Sequence, residues 1–149
     1  MKTLILGLVL VLSTLAIAHD EGHGPLITDS AKHGGVVAPA IQASHAKLGR
    51  HAPLIYKGEL LRSEEGGVRV YLYTPNMQAF SLSKFEKKGK AILEFKTKKG
   101  WDKKEFSLTF SGDSFIGVLP KCTLRKPYNI DVFLTEGKKT LLIAFDHLD

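Results

Sequence analysis

Between residues 54 and 145 the chain alternates short runs of aliphatic and aromatic residues with polar, glycine-containing breaks. In Val68-Arg69-Val70-Tyr71-Leu72-Tyr73-Thr74 alternate residues are aliphatic, the period of a strand with one face on a core. Glu65-Gly66-Gly67 before it and Pro75-Asn76 after it are turn chemistry, so Leu54–Arg62 and Val68–Thr74 are expected to pair as a hairpin. Met77–Leu82, Ala91–Lys96, Lys104–Phe110, Phe115–Leu119, Tyr128–Thr135 and Thr140–Phe145 read as further strands. The breaks between them, Lys88-Gly89, Lys99-Gly100, Ser111-Gly112-Asp113, Lys126-Pro127 and Glu136-Gly137-Lys138, read as turns. Phe106, Leu108 and Phe110 share one strand face, as do Tyr128, Ile130, Val132 and Leu134. With Val68, Val70, Leu72, Leu93, Phe95, Leu141, Ile143 and Phe145 they make up the expected core. Strands of this length and spacing predict an all-β fold, an immunoglobulin-like antiparallel β-sandwich.

The pattern changes before Pro53. Met1-Lys2-Thr3 places a positive charge ahead of the apolar run Leu4–Leu12, and Ala16 and Ala18 stand where a signal peptidase requires small residues. Residues 1–18 therefore read as a secretory signal, too short in its apolar run to span a bilayer, and His19 becomes the mature N-terminus. Residues 19–52 are rich in His, Gly and Ala and read as a flexible arm and linker; residues 53–149 form the sandwich domain. Ala40–Leu48 has the propensity for a short helix. Residues 19–32 lack an apolar set large enough to repay ordering, so the domain is expected to fold without them.

These boundaries imply a periplasmic or secreted protein with no stable membrane insertion after the signal is removed. Cys122 is the single cysteine, which rules out an internal disulfide. The net charge of +6 comes largely from lysines in turns and on alternating strand positions. With few arginines and no aromatic-interleaved basic motif, solvated strand faces explain it better than nucleic acid does. The sequence holds no nucleophile elbow, phosphate loop, dinucleotide fingerprint or His-Glu-x-x-His helix, so the expected protein is not an enzyme.

Chemistry concentrates in the arm. Five of the six histidines, His19, His23, His33, His45 and His51, precede Pro53, and short His-rich tracts are a compositional sign of metal binding. An N-terminal His19 offers its α-amine and ring nitrogen as a chelate, a donor set that suits copper(II) first and zinc(II) next. The alternative is a solvated tail, since the spacings match no zinc-finger or metalloprotease pattern. Met77 reads as a half-buried strand residue, Cys122 as a buried structural thiol, His147 as a surface residue and Glu59 as an outward strand carboxylate.

His33-Gly34-Gly35-Val36-Val37, Tyr56-Lys57-Gly58-Glu59-Leu60-Leu61, Val68-Arg69-Val70-Tyr71-Leu72-Tyr73 and Leu141-Leu142-Ile143-Ala144-Phe145 together resemble a group of small exported bacterial His-Gly-Gly β-sandwich proteins linked to heavy-metal and copper efflux. Members of that group often carry a histidine two residues before the strand glutamate. Here that position is Lys57, so His33 is the one ligand the resemblance carries over. By the position of His19 alone, the chain also resembles CopC-like periplasmic copper carriers. These resemblances imply a non-enzymatic metal-handling protein whose partner is a metal-efflux transporter or another envelope protein. The competing expectation is an exported structural or protein-interaction module.

Overall fold

In the stretch Val68–Tyr73, Val68, Val70 and Leu72 turn to one side and are buried, while Arg69 and Tyr71 turn to the other. The same alternation recurs through the computed structural model, which describes residues 23–149. Its strands are β1 (Val36–Gln42), β2 (Tyr56–Arg62), β3 (Gly67–Tyr73), β4 (Lys88–Thr97), β5 (Gly100–Ser111), β6 (Ser114–Val118), β7 (Tyr128–Glu136) and β8 (Lys139–Leu148). A short 3-10 helix, Ala43–His51, kinked at Gly49, follows β1 where the sequence suggested a helix over Ala40–Leu48.

All pairings are antiparallel, as expected, but the sheet does not split into a sandwich. It closes into a barrel in the order β1-β2-β3-β6-β5-β4-β7-β8, with β8 returning to β1. Two features favour closure. Gly58, Gly89 and Gly117 lie within strands, where a Cβ would come within 3.0 Å of Ile143, Leu134 and Leu108 respectively, so wall and interior approach closely there. The other is β1 itself, which lies within the segment expected to be an arm and linker. Its ladder to β8 covers Ala40–Gln42 and stops immediately after Pro39, which has no N–H to give.

The expected core residues fill the interior; only Phe110 remains partly exposed. Two local expectations fail. Lys88-Gly89 opens β4 rather than forming a turn. Met77–Leu82 is not a strand: the N–H of Met77 donates to the Thr74 carbonyl, Thr74 N–H donates to Gln78, and Met77 itself has φ 59°. The connection instead drops Leu82 and Phe85 into the core, and Tyr56 stacks on Phe80 with ring centroids 4.6 Å apart.

The described part of the arm is not free. Gly24 N–H donates to the Gly49 carbonyl, and a Cβ on Gly24 would strike Pro39 and Ile41. From there residues 24–35 run as a strap across the outside of β1 and β2. The signal region 1–18 and His19 lie outside the described residues.

Candidate functional site

Alternation along β2 points Lys57 and Glu59 away from the barrel interior, in register with Pro39 and Val37 of β1 and with Tyr73 and Tyr71 of β3. An outward-facing carboxylate is therefore what the sequence implies, yet Glu59 is fully buried. The strap covers it. Oε1 accepts the backbone N–H groups of His33 (2.7 Å) and Gly35 (3.0 Å), while Oε2 accepts Lys32 N–H (3.1 Å) and the Tyr73 hydroxyl (3.0 Å). Alongside, Lys57 forms an ion pair with Asp29 of the strap at 2.5 Å.

Burial alone would push the Glu59 carboxyl up. The hydrogen bonds from Gly35, His33 and Tyr73 outweigh it and hold the group below the ordinary carboxylate range. The same contact, after burial, pushes the Tyr73 hydroxyl well above the usual tyrosine value, so the pair stays as phenol and carboxylate at neutral pH.

The imidazole of His33 completes the arrangement. Its ring stacks on Tyr71 with centroids 4.0 Å apart and planes 8° from parallel. Nδ1 lies 3.2 Å from Glu59 Oε2 and 2.9 Å from the Tyr73 oxygen. An ionised carboxylate only accepts, so Nδ1 is the donor in this contact, and in the neutral ring Nε2 is the nitrogen with the lone pair. Nε2 has no hydrogen-bond partner among the described residues, and the side chain is 41% exposed. A carboxylate on one imidazole nitrogen with the other facing solvent is the orientation found behind metal-ligating histidines. Lys32, with Nζ 5.4 Å from the Tyr73 ring centroid, and Arg69, 6.0 Å from that of Tyr71, bring positive charge nearby.

The two glycines after His33 serve different needs. Gly34 adopts φ +77° with open space around it, a backbone conformation that L residues disfavour. At Gly35 a Cβ would stand 2.3 Å from the Leu60 carbonyl oxygen, so only glycine lets the strap lie flat enough to donate to Glu59.

Comparison with family models, with curated proteins and with solved structures gives no match.

The remaining histidines are not gathered around His33. His45 and His51 sit on the 3-10 helix beyond the far end of β1, about 20 Å along that strand at 3.3 Å per residue. His23 lines a cleft of 310 Å³ at the seam between β1 and β8, together with Arg50, Asp146 and His147. Near it, burial and the charges of Glu94 and Asp146 push the carboxyl of Asp131 up to about 6. Among the described residues no group of three His, Cys, Asp or Glu side chains is placed to hold a metal ion. Met77 is buried in its turn and Cys122 is half-buried against the core.

Sequence reasoning missed Glu59, Tyr73 and the Asp29–Lys57 pair. Alternation puts a residue on a face but does not say what crosses that face. The available signal was that the glutamate and the His-Gly-Gly stretch both belonged to the family resemblance.

Proposed function

We propose that this is a non-enzymatic metal-handling protein of the exported type, with copper(II) the first ion and zinc(II) the second, and that His33 Nε2 is its fixed contact to the ion. The observation supporting the reading is the Glu59–His33 pair: it fixes the tautomer and aims the ring so that one nitrogen is left to solvent. One imidazole beside Lys32 and Arg69 holds a cation weakly, a property that suits passing an ion on more than storing it. The rest of the coordination sphere would come from the mature N-terminus at His19 or from the efflux partner.

Calorimetric titration of copper(II) into the wild type, His33→Ala and His19→Ala tests this at pH 7.5 and pH 5. Binding at pH 7.5 that weakens at pH 5, as protons compete with the ion for its nitrogen ligands, and that falls in both variants supports the reading. Equal, weak binding by all three proteins would overturn it in favour of an envelope interaction module.

A further inference from the structure

The β4–β5 hairpin reaches past the rest of the barrel. β4 pairs with β7 only over Lys90–Glu94, and β5 pairs with β6 only over Leu108–Ser111. The two strands nevertheless remain paired with each other out to Thr97 and Gly100. The far end of the hairpin is thus a two-stranded ribbon with no third strand beside it.

One face of this ribbon is anchored: Phe95 and Phe106 are buried, and Lys104 Nζ donates to the Lys121 carbonyl at 3.1 Å. The opposite face places Trp101 directly across from Lys96, and Lys103 across from Glu94, its ion-pair partner. Lys98 and Lys99 form the turn. Trp101 is the chain's one tryptophan and is 54% exposed. Lys96, Lys98 and Lys99 are exposed and have no ion-pair partner among the described residues.

An exposed indole across from Lys96 and next to the Lys98–Lys99 turn, at a projecting tip, suits a surface that is negative outside and apolar just beneath. Indole settles at the headgroup level of a bilayer, lysine stems bury their methylenes while the charge stays in the phosphate layer, and each lysine adds its own attraction to anionic lipid. An acidic protein would have to offer a pocket shaped to the ring. We propose that Trp101, with Lys96, Lys98 and Lys99, docks the protein peripherally on an anionic phospholipid surface. This inference does not depend on the metal reading.

The test uses vesicles of phosphatidylcholine, with and without phosphatidylglycerol, followed by Trp101 emission and by co-sedimentation. Because no other tryptophan is present, the emission reads the ribbon tip whatever residues 4–12 do. Phosphatidylglycerol vesicles are expected to shift the emission to the blue and sediment the protein, and about 0.5 M salt to reverse both. Replacing Lys96, Lys98 and Lys99 by glutamine should weaken partitioning about a hundredfold, roughly fivefold per lysine, and Trp101→Ala should weaken it with the melting temperature unchanged. An unshifted emission on phosphatidylglycerol vesicles overturns the proposal, as does an equal shift on neutral vesicles. An emission shift that the triple lysine variant retains in full also overturns it. So does an equal shift with polyglutamate in the absence of lipid, which would assign the tip to an acidic protein.

Discussion

His33 Nδ1 lies 3.2 Å from Glu59 Oε2, joining residues 26 apart in sequence and fastening a strap of irregular chain to the outside of the barrel wall. Because Glu59 also accepts three backbone N–H groups from the strap, one buried carboxylate holds three part-buried donors.

Glu59→Ala should therefore cost about 3–5 kcal/mol, since it orphans those donors together with Tyr73. Glu59→Gln should cost less, because the amide keeps one accepting oxygen but turns a donor toward other donors. Hydrogen exchange provides the check: the amides of Lys32, His33 and Gly35 should be protected in the wild type and exchange rapidly in both variants. The strap is accordingly not dispensable, and deleting residues 23–35 should lower the melting temperature by uncovering Glu59 and Lys57.

The latch has a defined acid limit. Its carboxyl lies below its ordinary value in the folded state, so its stabilisation is complete above the unfolded value of about 4.5 and is lost as pH falls through the depressed folded one. Wild type should lose stability more steeply below pH 4 than Glu59→Gln does, a difference read from melting temperatures across the acid range.

Asp131 has the opposite sign. Its folded value of about 6 exceeds the unfolded 3.8, so the charged form is disfavoured in the barrel: stability falls as pH rises from about 4 to about 6 and stays low above that. Asp131→Asn should raise stability at pH 7 by about 1–3 kcal/mol and flatten that slope. A variant no more stable than the wild type at pH 7 would show that the charge is relieved in solution.

The His-Gly-Gly glycines should separate cleanly. Gly34→Ala meets no atom and carries only the strain of its positive φ, about 1–2 kcal/mol. Gly35→Ala drives a methyl against the Leu60 carbonyl and should cost more, with loss of strap protection in hydrogen exchange. Denaturant unfolding of the two variants, run side by side, measures the difference.

Strands were legible because alternation along β3, β5 and β7 is strong and their buried faces match the expected core. Closure was not. It depends on Val36–Gln42, where a proline and two alanines interrupt the branched residues inside a Gly/Ala-rich segment, so no period-2 alternation signals a barrel strand. In the site, His33 stood out by its motif, whereas Glu59 read as solvated because a strap without periodicity leaves no trace on the strand it covers. The histidines looked like one group because they are near in sequence, and β1, being extended, keeps His33 away from His45 and His51.

The pairing of β1 with β8 sets an order of events during synthesis. Ala40, Ile41 and Gln42 take Ile143, Leu142 and Leu141 as partners on one edge, so β1, paired early with β2 on its other edge, must wait for β8 before the barrel closes. Until then the nascent chain is an open sheet with two unpaired edges, slow to settle because its closing contact spans about a hundred residues. A product halted before Leu141 keeps those edges exposed and is a template for aggregation rather than a smaller version of the protein.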